Sequence, residues 1–378
     1  MTFTAYSARY ARELDVDQLL RLVTGAAPEA ALDSTAAMSN PALQGAIADL
    51  ECPSCFSKGA SVVREGRNQK GKAVRQAHFR FRGADGSSNH HPLCDFFGND
   101  AIDAPRAGAV NFADEKSAVT RAIRHLVCAG IELGMFNQAH MRELRKWHFE
   151  MRRQHRFVVT VPATAVAWCF DIVGNRTWEH EVAFSPEFGD LPDFNWRLAA
   201  RGTLTARHRN IIDAFTALRG WGYVQLMQRA TALMARNAGN ELFDAVPLEP
   251  YYKATVTLAH FAAGNWTVLA SNARTKLPLG ADPKAAPLMA VCALLLWVSN
   301  WDVAAAARKL TTLILAPEAN DLTLGNFIGL NPFHDFGALR IVRLVEDVTA
   351  GLESAFNYQA DLAATIEALK AQHAMYRK

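Results

Sequence analysis

Four residues near the start of the chain have the types and spacing to hold a metal ion. Cys52 and Cys55 bracket Pro53-Ser54, and about forty residues later His91 and Cys94 bracket Pro92-Leu93. Each pair is separated by two residues and carries Pro directly after its first member. A Cys-x2-Cys turn lets two thiolates reach one tetrahedral ion, and two such knuckles closing a β-rich segment are how a structural zinc ribbon is written. Thiolate and neutral imidazole are ligands that suit Zn²⁺ better than Mg²⁺ or Ca²⁺. The symmetry of the two knuckles favours His91 as the fourth ligand, with His78 and His90 as the alternatives. His78 lies in the alternating run Ala77 to Arg82, where it shares a strand face with Arg80 and Arg82 while Phe79 and Phe81 point the other way.

The segment between the knuckles is one-sided in charge. From residue 58 to residue 82 it carries Lys58, Arg64, Arg67, Lys70, Lys72, Arg75, Arg80 and Arg82 against a single acid, Glu65. Gly66 to Gly71 reads as a hairpin tip between a valine-rich strand and one rich in Phe and Arg. Such a ribbon is a surface for phosphates, contacted by Arg64, Arg67, Lys70, Lys72, Arg75, Arg80 and Arg82; the bland reading is a solvated ribbon kept soluble by its cations. A second chemical arrangement lies further on. Asp171 near the end of an apolar run, and Glu181 ten residues later beyond the Gly174-Asn175 turn, have the spacing of a metal-dependent nuclease core in which two carboxylates hold Mg²⁺. Such cores carry Lys or Gln two residues after the second acid, and here that position is Ala183.

The order of these pieces resembles the competence protein CoiA-like group over about residues 50 to 190. The resemblance rests on Cys52-Pro53-Ser54-Cys55, His78-Phe79, Cys94, a helix opening at Asp114, then Asp171, Glu181 and Ser185-Pro186. It implies a restriction-enzyme-like core, here degenerate at Ala183, and moves the fourth zinc ligand towards His78. It leaves the chain beyond residue 200 unexplained.

These residues need elements to position them. Residues 1–48, rich in Ala, are expected to form a mostly helical arm, with a helix start at Asp15-Val16-Asp17 and breaks at Pro28 and Asn40-Pro41. A basic zinc ribbon follows over 49–100. Over 101–200 we expect a helix pair, Asp114 to Phe136 and Gln138 to Arg153, then strands at 157–161, 165–173 and 177–184. Residues 201–378 read as helical, with segments near 207–237, 252–270, 285–315 and 340–377. The fold class is α+β: a small zinc ribbon and short sheet region followed by a large all-helical domain.

Composition bounds the rest. Half of the 378 residues are hydrophobic and a fifth charged, which is ordinary for a globular chain, and the net charge of +3 argues for nucleic acid only through local clustering. Cys128, Cys169 and Cys292 sit singly in apolar stretches and read as buried thiols; nothing calls for disulfides, as in a reducing cytoplasm. The N-terminus has no apolar signal region, and the fourteen-residue run Ala285 to Val298 is short of the roughly 20 needed to cross a bilayer. Taken together, the residues imply a cytoplasmic, zinc-stabilised nucleic-acid-binding protein of bacterial DNA processing or defence, with DNA as the favoured partner. The rivals are an Mg²⁺-dependent nuclease using Asp171 and Glu181, and a scaffold subunit docking protein partners through its helical half.

Overall fold

The computed structural model describes residues 2, 4–25, 40–64, 66–67, 73–75, 77–83, 85–94, 96–97, 118–177, 182–217, 223–269, 282–321, 324, 327, 330–352 and 354–378. It mixes helix with small antiparallel sheets, as an α+β chain should. The chain divides into two units, Met1–Gln154 with Pro247–His334, and His155–Val246 with Asp335–Lys378.

The first unit begins with strand rather than the expected helical arm. Strands β1 (Thr4–Ser7) and β2 (Arg12–Asp15) pair antiparallel, Thr4 opposite Asp15 and Ser7 opposite Arg12. Helical alanine is overridden here by burial: every residue of β1 is buried, and its second edge pairs with β3 (Leu50–Glu51). The helix start at Asp15 does form. Asp15 accepts from the Gln18 N–H at 2.7 Å while the Gln18 side chain accepts from the Asp15 N–H at 2.9 Å, a reciprocal capping box that opens α1 (Val16–Thr24). Gly25, at φ 66°, closes it. Asn40 caps α2 (Pro41–Ala48), which leads through β3 into the first cysteine knuckle.

Between the knuckles the chain runs out and back as a ribbon. Strand β4 (Ala60–Val63) pairs with β7 (His78–Phe81), and beyond it β5 (Gly66–Arg67) pairs with β6 (Ala73–Arg75). Thr2 bridges to Phe79, tying the ribbon to the N-terminal strand. Phe79 and Phe81 face inward and join Leu14, Leu19, Leu43, Leu50 and the three knuckle cysteines in one buried cluster. Two helices follow, α3 (Ala118–Glu132) and α4 (Gln138–Gln154); the expected cap at Asp114 lies outside the described residues. After an excursion into the second unit, the first unit is completed by α9 (Glu249–Leu269), α10 (Ala286–Trp297) and α11 (Val303–Leu315). Residues 287 to 296 of α10 are all buried, and among the described residues no helix is long and apolar enough to cross a membrane.

In the second unit, β8 (Arg156–Val158) forms where a strand was expected, but its partner is β9 (Glu241–Phe243). Residues 164–174 are not a strand. They form helix α5 (Thr164–Gly174), with Ala165, Trp168, Cys169 and Ile172 buried at helical spacing. An unbroken apolar run does not by itself separate a buried strand from a buried helix, and here tertiary packing selects the helix. Residues 182–184 are not in a strand either. Helices α6 (Trp196–Arg207), α7 (Arg209–Thr216) and α8 (Tyr223–Arg236) follow, and α12 (Phe336–Thr349) and α13 (Tyr358–Tyr376) complete the unit. The buried carboxylate of Glu346 on α12 accepts from the N–H groups of Thr160 and Val161 at 2.9 and 3.0 Å and from the Thr160 hydroxyl at 2.7 Å.

Candidate metal centre

The two knuckles converge. Sheet pairing of β3 with β1 delivers Cys52 to the core, and the Phe56 N–H closes the first knuckle on the Cys52 carbonyl at 3.0 Å, with Phe56 at φ 62°. The return strand β7 delivers the second knuckle, in which the Cys94 N–H donates to the His91 carbonyl at 2.7 Å and the Phe97 N–H to the Cys94 carbonyl at 3.1 Å. Their side chains meet as a buried Cys₃His cluster of Cys52, Cys55, His90 and Cys94, with all four donor atoms within 4.8 Å of one another.

The separations fit a tetrahedral ion. Zn–S bonds of about 2.3 Å and a Zn–N bond of about 2.0 Å place sulfurs about 3.8 Å apart, and sulfur about 3.5 Å from nitrogen. The Cys52 and Cys94 sulfurs are 3.8 Å apart, and His90 Nδ1 lies 3.6 Å from the sulfurs of both Cys55 and Cys94. The cluster could therefore hold a metal such as zinc. The surroundings also suit a charged thiolate centre: the Phe96 N–H points at the Cys94 sulfur at 3.4 Å, and the Ser57 hydroxyl lies 3.1 Å from that of Cys55. Hydrogen bonds from the Cys52 and Cys94 thiols hold Cys55 far below the usual thiol range, while burial pushes Cys52 well above it. Cys55 thus favours the thiolate and Cys52 the thiol, an imbalance that a bound cation would resolve by favouring the thiolate at both.

The histidine of the cluster is His90, and His91, favoured by the knuckle symmetry, lies outside it. The His91 ring turns back onto its own knuckle, where Nδ1 accepts from the Leu93 N–H at 3.1 Å, and packs edge-on against Phe149 of α4 with centroids 5.2 Å apart. His90, one residue earlier, is clasped between Phe81 and Phe96 at 5.2 and 5.8 Å and aims Nδ1 at the sulfurs. The knuckle symmetry fails because the second turn spends its first residue on closing itself. His78 is fully buried on β7, opposite Val63, and stands outside the cluster.

Of the seven cations expected to contact phosphates, Arg64 and Arg80 are exposed and Arg82 is half-buried. Arg67 and Arg75 sit on β5 and β6, and Lys70 and Lys72 lie outside the described residues. Asp171 is exposed on helix α5, and Glu181 lies outside the described residues. The strand pair that would aim two carboxylates at one Mg²⁺ is therefore absent from the described residues on the Asp171 side. Cys128, Cys169 and Cys292 are fully buried outside the cluster, and burial pushes Cys169 up to about 12. No family model, no curated protein and no solved structure matches the chain.

Proposed function

We propose that this chain is a zinc-stabilised nucleic-acid-binding protein in which Cys52, Cys55, His90 and Cys94 hold a structural Zn²⁺ and the ribbon between the knuckles meets phosphates, with DNA the favoured partner. The observation that carries the reading is the Cys₃His cluster at tetrahedral spacing, from which β4 and β7 lead to a segment of eight cations and one acid. All four ligand positions are taken by protein side chains, so the ion would be a staple with no open site for substrate. The resemblance to the CoiA-like group, drawn over about residues 50 to 190, goes with this reading through its cysteine knuckles, and a role in bacterial DNA processing or defence goes with it.

The test is anisotropy of labelled DNA and RNA over a salt series, using protein whose zinc content has been measured. If four phosphates are neutralised, the slope of log K against log[salt] is about −3.6, and affinity falls about 100-fold between 50 and 200 mM salt. Charge reversal at Arg67 and Lys70 should weaken binding and flatten that slope. Absence of binding, or binding indifferent to salt, refutes the reading.

A second reading is a scaffold subunit, expected from the sequence to dock through the helical half over 201–378; apolar side chains exposed in the second unit favour it. Leu191 is 58 % and Tyr376 53 % exposed, and the half-buried rings of Phe184, Phe194 and Trp196 pack together in the same unit, with Trp196 5.7 Å from His373. Sedimentation across a concentration series, with Leu191→Asp as control, tests it for self-association. A monomer at every concentration removes a second copy of the chain as the docked partner.

A further inference from the structure

We propose that α4 relays metal occupancy at the Cys₃His cluster to the helices α9, α10 and α11 of the same unit, so that the zinc ion sets the order of a surface distant in sequence from its ligands. The inference rests on the zinc half of the reading above and is independent of nucleic-acid binding.

One side of α4 is docked on the knuckles. Arg142 forms an ion pair with Glu51, the residue before Cys52, and its guanidinium lies 4.2 Å from the Tyr6 ring centroid and 5.2 Å from that of Phe56, inside the first knuckle. Phe149 stands edge-on to both knuckles at once, 6.2 Å from Phe56 and 5.2 Å from His91. Between these two anchors Trp147 leaves α4 in another direction and enters an aromatic quartet. Its ring lies 5.0 Å from Tyr251 of α9, 5.7 Å from Trp297 at the end of α10 and 5.3 Å from Trp301, while Tyr251 and Trp301 are 4.6 Å apart. Asn300 and Trp301, at φ 51° and 63°, hold a left-handed conformation uncommon for non-glycine residues, which persists only while its surroundings impose it. The turn is closed locally by the Trp301 N–H on the Leu296 carbonyl at 2.7 Å, and Trp147 is the one ring of the quartet that α4 contributes, its place set beside residues that a bound metal would order.

The first half of α4 has a separate anchor. Gln138 accepts from the Glu13 N–H at 2.6 Å and donates to the Leu324 carbonyl at 2.8 Å, and Arg145 forms a buried ion pair with Glu13. These ties run to β2 and to Leu324 rather than to a knuckle. Metal loss should accordingly loosen residues 147–154 and the 297–303 turn while the Gln138 end of the helix stays protected.

The experiment is hydrogen exchange of the full chain, zinc-loaded and after chelation, with one zinc per chain confirmed beforehand. Chelation should speed exchange in 147–154 and 297–303 at least tenfold, with a change in tryptophan emission that Trp147→Phe removes. A zinc-loaded Arg142→Ala/Phe149→Ala variant should still bind one zinc but no longer transmit its removal to 297–303. A chain with one zinc whose loss loosens only residues 40–97 overturns the relay and leaves the metal reading standing, as does a double variant that transmits as strongly as the parent. A chain that takes up no zinc overturns both.

Discussion

Replacing His90 and His91 separately by alanine separates ligand from neighbour. An apparent zinc affinity of about 10–16 kcal/mol for a four-ligand structural site shares out to about 2.5–4 kcal/mol per ligand. His90→Ala, which removes the donor 3.6 Å from two sulfurs, should weaken zinc binding about 100- to 1,000-fold, at 1.4 kcal/mol per tenfold. His91→Ala loses the hydrogen bond from the Leu93 N–H and the edge-on contact with Phe149. Those are worth about 1 kcal/mol each, so the variant should lose about 2 kcal/mol of folding stability and keep one zinc per chain. Competition against a chromophoric chelator measures the first effect, and thermal or denaturant unfolding of the zinc-loaded protein the second. Cobalt substitution adds a direct view, since a Cys₃His site changes its ligand-field spectrum when the imidazole is lost. The reasoning is refuted if His91→Ala abolishes stoichiometric zinc while His90→Ala retains parental affinity.

Other perturbations read different parts of the structure. Gly130→Ala, a change that in an open helix gains up to about 1 kcal/mol, would place its Cβ 2.2 Å from Cζ of the buried Phe136; overpacking of about 1–3 kcal/mol should win, and an unfolding midpoint at or above the parent's would contradict this. Glu346→Ala strands two backbone N–H groups and a hydroxyl, so a loss of about 2–4 kcal/mol is expected by denaturant titration, and a neutral result would mean water replaces the carboxylate freely. Asp171→Ala should leave both stability and any nucleic-acid affinity unchanged, because the carboxylate is exposed on a helix; metal-dependent cleavage that disappears with this substitution would restore the nuclease reading.

What could be read from the sequence follows the range of the interactions involved. Cys52, Cys55 and Cys94 were legible because the short Cys-x2-Cys turn and a lone distant cysteine constrain metal geometry locally, whatever the rest of the chain does. The histidine was not, because choosing between neighbours one residue apart depends on side-chain direction, and that is set by Phe81 and Phe96 closing on His90 and Phe149 on His91. The helix start at Asp15 was legible for the same local reason as the thiols, its cap and partner lying within three residues, whereas Asn40-Pro41 reads as a break and in fact caps and opens α2. The N-terminal strands were hidden, since their stability comes from β3, some forty residues away, and from burial of all of β1. The run at 164–174 marks the limit most sharply. Its apolar residues satisfy either a buried strand or a buried helix, and only the neighbours that cover Trp168, Cys169 and Ile172 decide. Reading Asp171 as a strand-borne ligand took that undecided element as settled, so the candidate nuclease site inherited an ambiguity that its own carboxylates could not resolve. The knuckles had no such dependence, which is why the metal centre is the firmer ground for experiment.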